Sequence, residues 1–202
     1  MRSGLIRSLA AILLLAPTSA FAHFGAYHTH SFADGFTHPL GGLDHILAMV
    51  TVGLLAWQLG GRALWLLPAT FVSLMAVGGA LGIAGEPLSA IEYGIAASLI
   101  VLGAMVALGM KAPTAAVAAI VGLFAIFHGY AHGTETPADA SGGAFAAGFI
   151  LATILLHGCG IALGFLFGRI AQSYARLSYQ IAGAFVALMG VGMGAGMLAH
   201  SI

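Results

Sequence analysis

The sequence predicts an all-α membrane protein, a compact bundle of six transmembrane helices behind a cleaved signal peptide. Three observations lead there. Hydrophobic residues make up 60% of the 202-residue chain and charged residues only 6%, with a mean hydropathy of +1.05, whereas a soluble domain carries roughly a quarter charged residues. The amino end has the three-part pattern of an export signal. From His38 onward, six apolar segments are each long enough to cross roughly 30 Å of hydrocarbon. The formal net charge is zero, so nothing favours a nucleic-acid partner. The single cysteine, Cys159, excludes an intrachain disulfide and a Cys-rich metal knot.

The first element is the signal. Arg2 and Arg7 supply its basic region, Leu9 to Leu15 its apolar core, and Ala20-Phe21-Ala22 a small-x-small cleavage site. The competing reading is an uncleaved first helix, but the apolar core is short for a stable span. Cleavage divides the chain into a signal peptide, 1–22, and a single transmembrane domain, 23–202, with His23 as the mature amino terminus.

The six spans fall near residues 38–60, 62–84, 89–110, 113–132, 143–168 and 177–199. Turn chemistry separates them: Gly60-Gly61, Glu86-Pro87, Lys111-Ala112-Pro113, the polar run 134–143, and 172–178. Each span must be helical, because backbone groups facing lipid have to be satisfied within their own segment. Charge orients the bundle. Arg62, Lys111, Arg169 and Arg176 lie in the loops on one side, and Asp34, Glu86, Glu135 and Asp139 lie on the other. Basic loops stay inside, so the mature amino end is expected in the periplasm and the protein in the bacterial inner membrane. Small residues at four-residue spacing (Gly78 and Gly82, Gly129 and Gly133, Gly160, Gly164 and Gly168, Gly190 and Gly194) suit close helix packing.

Polar groups inside spans are costly and therefore candidates for function. The first span opens with His38-Pro39-Leu40-Gly41-Gly42-Leu43-Asp44-His45. His38 and His45 are seven apart, nearly one helical face. A bend at Gly41-Gly42 would let Asp44 join them, and Pro39 reads as the first helical residue, leaving His38 in the cap. The fourth span ends with His128, His132 and Glu135 at i, i+4 and i+7, one stripe on a helix. Both groups fall in the outer half of the membrane. Imidazoles and carboxylates together make a ligand set for a borderline divalent cation, the carboxylates offsetting charge and the neutral imidazoles donating nitrogen. The alternative for the stripe is histidines bonded to carbonyls across the bundle.

Weaker candidates are Glu92, one turn inside the third span, and His157, near the middle of the fifth and a step toward the inside. His23, with its free α-amino group and with His28 and His30 close by, could capture a cation from the outer compartment. Met189, Met193 and Met197 form a stripe that could suit Cu(I), but gap-filling packing explains it as well.

These residues resemble the HupE/UreJ family of nickel permeases. His38, Asp44 and His45 match its H-x5-D-H motif. Phe127, His128, Gly129, Ala131, His132, Gly133 and Glu135 match its F-H-G-x-[AV]-H-G-x-E motif. The likeness extends over residues 31–36 and Leu155-Leu156-His157-Gly158. It implies nickel import serving hydrogenase or urease maturation, with the metal as cargo and no resident cofactor. Some relatives are associated with cobalt, and ligand softness does not separate these metals. The partners expected are a divalent metal ion and the lipid bilayer; nothing in the sequence specifies an oligomer.

Two rival functions share some of these features. An intramembrane zinc-dependent hydrolase would use the same ligands but needs an open coordination position and a substrate cleft. A channel for a neutral solute could use paired histidines, but it has no use for clustered carboxylates. No phosphate-binding G-x-x-x-x-G-K-[ST] signature occurs, so the chain itself is not expected to spend nucleotide, and no enzymatic activity is expected.

Overall fold

The computed structural model describes residues 31–85, 87–88, 90–135, 142–170 and 174–200. The expected signal peptide, His23, Glu86 and Asp139 lie outside the described residues. Among these residues the protein is all-α, with seven helices: α1 (Phe32–Gly41), α2 (Leu43–Leu59), α3 (Ala63–Ile83), α4 (Ile91–Leu108), α5 (Thr114–Glu135), α6 (Gly142–Ile170) and α7 (Ala175–His200). Helices α3 to α7 are each long and apolar enough to cross a membrane. The pair α1 and α2, bent by 88° at its break, makes a sixth span if counted as one. The boundaries of α3 to α7 fall within three residues of those read from the apolar runs.

The first span departs from expectation. It is not one helix over 38–60, and Pro39 is not its first helical residue. Instead α1 starts at Ser31, whose hydroxyl accepts from the Asp34 amide at 3.2 Å while the Asp34 carboxylate accepts from the Ser31 amide at 3.0 Å. That reciprocal cap satisfies two backbone donors that a helix start would otherwise leave open. Pro39 lies inside α1 near its end, where its missing N–H leaves the Gly35 carbonyl without its i→i−4 donor and weakens the last turn before the helix breaks at Gly42. Gly42 then adopts an extended conformation, φ −106° and ψ 117°, and α2 starts afresh. A ten-residue helix spans only about 15 Å, so α1 cannot cross the bilayer alone. It lies across the start of α6, where a Cβ at Gly35 would collide with the Phe145 carbonyl.

Close approach elsewhere follows the small-residue rows. Along α3 and α5, Gly78 meets the Ile126 carbonyl, Gly129 the Met75 carbonyl and Gly133 the Gly79 carbonyl, each too near for a side chain. These contacts run in one direction, so α3 and α5 are parallel. So are α2 and α6, in which Gly53 faces Gly160 and Gly164 faces the Trp57 side chain one turn further along both helices. Helices α4 and α7 are antiparallel, Gly103 facing Gly183 and Ala187, and Gly190 facing Ala96. Helices α2, α4 and α6 therefore descend from one membrane face, and α3, α5 and α7 ascend toward it. Gly194 has nothing nearby and contributes to no such contact.

The core between the helices is apolar, with Phe71, Met49, Leu55, Leu67, Leu99 and Leu102 almost fully buried. The outer faces are apolar too: Trp65, Leu108, Leu123, Ile181 and Leu188 are all exposed. Water would penalise that surface at roughly 25 cal/mol per Å²; lipid does not. The chain is a multi-pass membrane protein.

Candidate metal centre

The break after Gly41 places two histidines of one segment at different levels. His38, in the last turn of α1, points its Nε2 toward the end of α5, 3.0 Å from His132 Nδ1 and 3.1 Å from Glu135 Oε2. His132 Nδ1 lies 3.7 Å from the same carboxylate oxygen. One ligand atom from each of His38, His132 and Glu135 falls within 4.8 Å of the others, a grouping able to hold a metal ion. This outer trio is partly open, with the His38 and Glu135 side chains 28% and 38% exposed.

A second layer lies beneath it. Asp44 and His45 occupy the first turn of α2, and the His45 ring sits 4.3 Å from that of His132 and 4.9 Å from that of His128, centre to centre. Asp44 Oδ1 is 3.0 Å from His45 Nδ1. An ionised carboxylate only accepts, so Nδ1–H donates and the lone pair is left on Nε2. That atom is buried and has no hydrogen-bond partner among the described residues.

His128 is held in a comparable way from the other side. The Ser98 hydroxyl donates to the Ile95 carbonyl at 2.6 Å, and His128 Nε2 lies 2.9 Å from Ser98 Oγ. With the hydroxyl proton committed to a carbonyl, the imidazole must be the donor. The His128 lone pair is then on Nδ1, likewise buried and without a partner among the described residues. Two lone pairs in a dry setting, each fixed by a hydrogen bond on the opposite ring nitrogen, is the arrangement in which imidazole binds a metal.

Aromatic rings wall the site. Phe145 and Phe149 stand 5.5 and 6.1 Å from His38, Phe149 stands 4.5 Å from His132, and Phe71 stands 5.8 Å from His128. Gly42 leaves room for the Asp44–His45 pair: a Cβ there would lie 2.7 Å from Asp44 Oδ1 and 2.9 Å from His45 Nδ1.

All six principal candidates therefore gather at one end of the bundle, His38, His132 and Glu135 in the outer trio and Asp44, His45 and His128 below. Glu92 is exposed in the first turn of α4 and stands outside the trio. His157 is buried midway along α6. Met193 packs against the small cluster of Ala48, Leu99 and Val186, which accounts for it as gap filler. Ser98 and the phenylalanine walls were not found from sequence, whereas Gly42 was, as part of the expected bend. Ser98 had a signal, as a lone hydroxyl within the apolar run of α4.

Fold and site together define a polytopic helical membrane protein with a layered histidine and carboxylate cluster opening on one face. The family model described as HupE / UreJ protein matches residues 11–193. The chain is also 45% identical over 192 residues to Protein HupE of Rhizobium leguminosarum bv. viciae, covering 95% of this chain and 97% of that one. This chain belongs to the HupE/UreJ family. No solved structure gives a significant match.

Proposed function

We propose that this protein is a permease that imports a divalent transition metal, nickel, across the bacterial inner membrane for hydrogenase or urease maturation. The observation that carries this reading is the approach of His38, His132 and Glu135, each with one ligand atom within 4.8 Å of the others, directly above two buried imidazoles with unpartnered nitrogens. Membership of the HupE/UreJ family supports a transporter rather than an enzyme.

A bare dication in a low-dielectric bundle is prohibitively costly unless charge and donors replace its water. Glu135 and Asp44 bring two negative charges, and four neutral imidazoles bring the donors that suit nickel, cobalt and zinc. The trio at the mouth exchanges solvent for the first ligands, and His45 and His128 take over below. Uptake of competing labelled Ni²⁺, Co²⁺ and Zn²⁺ into proteoliposomes, with and without a pH gradient, tests this. Nickel should be taken up in preference; equal leakage of all three, or none, removes the proposal.

The proposed orientation, mature amino end in the periplasm, puts the trio on the outer face. Reporter fusions after Asp139 should then report the periplasm and fusions after Lys111 the cytoplasm. A cytoplasmic signal at Asp139 would invert the path.

A further inference from the structure

The geometry points to a second, inner metal position at His157, where the cation rests between the outer cluster and the far end of the bundle. It rests on the permease reading. His157 is 1% exposed, and neither of its ring nitrogens has a hydrogen-bond partner among the described residues. A buried imidazole always carries at least one polar nitrogen needing a partner, and leaving it without one is destabilising. A packing residue at this position would be better served by an apolar ring. The group is retained at a cost, so a visiting ligand is the natural complement.

Its position fits a path. The His157 carbonyl packs against Gly53 of α2, eight residues beyond His45 on a descending helix, or about 12 Å deeper. Phe71 of α3 joins the levels: its ring is 5.8 Å from that of His128 above and 5.1 Å from that of His157 below. One rung outward on the same helix pair, the Thr153 hydroxyl lies 3.8 Å from Met75 Sδ. The wall between the two levels thus offers an aromatic face, a hydroxyl and a thioether, with a bare imidazole at its foot. Below Gly53, α2 continues to Gln58 and Leu59, which with Lys111 and Pro113 line an open recess at the opposite end of the bundle. His157 therefore divides an otherwise apolar descent into two shorter steps. Its donor set is nitrogen with sulfur nearby, and carries no carboxylate. Such a set holds a borderline metal weakly, as suits a position the ion must leave.

The test uses the full chain. For His157→Leu, equilibrium Ni²⁺ binding to detergent-solubilised protein should match wild type within about twofold, while saturated uptake by proteoliposomes falls about tenfold or more, at least the scale seen when the hydrogen-bond partners of metal ligands are lost. Wild-type uptake in that variant would reduce His157 to packing. Because Leu could disturb the fold, a gain of signal decides independently. His157→Cys, in a Cys159→Ala background, should show a thiolate-to-metal charge-transfer band on Co²⁺ addition. Co²⁺ binding at the outer cluster without that band overturns the inner position. If the wild-type protein neither binds nor carries metal, the permease reading falls first; if only the His157 variants behave as wild type, this inference alone falls.

Discussion

The outer trio and the deep pair use the same side chains but are positioned by different means. His38 reaches Glu135 because the backbone breaks at Gly42, and the trio is held by contacts among its own members at 3.0 to 3.7 Å. His45 and His128 instead are each fixed from outside, by Asp44 and by Ser98. Exposure follows the same division: Glu135 is 38% exposed in its side chain, whereas His128 as a residue is 0%. Solvent screens charge at the mouth and hardly at all below. An entry site can therefore adapt its ligands to an arriving hydrated ion, while the deep pair must be made in advance.

The largest effect should come from removing charge at depth. Asp44→Asn keeps size and can still accept from His45 Nδ1–H, so the ring orientation survives while the negative charge is lost. Uptake should fall to background, with membrane protein level close to wild type. Wild-type rates in this variant would make Asp44 a hydrogen bonder only, and the contrast between the two layers would lose its electrostatic basis.

Gly42→Ala tests room instead of charge. The φ of −106° and ψ of 117° at Gly42 are open to any residue, so the backbone break itself tolerates alanine. The new Cβ would stand 2.7 Å from Asp44 Oδ1 and 2.9 Å from His45 Nδ1, forcing the pair to move. Metal affinity should drop by roughly 10- to 100-fold, the range found when partners of metal-bound histidines are disturbed. An unchanged affinity would show that the pair relaxes freely, and that the deep layer is less preformed than its hydrogen bonds imply.

Much of this was legible in the sequence, and the reasons for what was missed are specific. Helices α3 to α7 were readable because a lipid-spanning run must be long, apolar and helical, so hydropathy alone marks its ends. The i, i+4, i+7 stripe of His128, His132 and Glu135 needed only helical geometry. The Gly41-Gly42 bend was anticipated; the helix before it was not. Its capping signal is Ser31-Phe32-Ala33-Asp34, whereas Pro39 suggests a helix start and in fact lies inside the last turn of α1. The pairing of His128 with Ser98 links residues 30 apart through tertiary packing, and no local pattern encodes it. That the two motifs meet could be inferred only from their shared depth in the membrane.

The smallest expected effect, and the sharpest test of the contrast, is Ser98→Ala. The change removes no charge, no ligand and little volume. It takes away the acceptor that commits the His128 proton to Nε2 and leaves a buried donor unsatisfied. The ring can then move its proton to Nδ1, occupying the lone pair that is otherwise free for metal. Metal affinity should fall about tenfold, at the low end for such partners. Ser98→Thr, which keeps a hydroxyl able to bond a carbonyl one turn back, should recover most of it. Nitrogen NMR of the labelled wild-type protein should find the His128 proton on Nε2, and in Ser98→Ala it should find both tautomers. A uniform loss of stability would produce the affinity change without the tautomer change. Equal affinity in wild type and Ser98→Ala would mean that the deep pair, like the trio, organises itself around the metal.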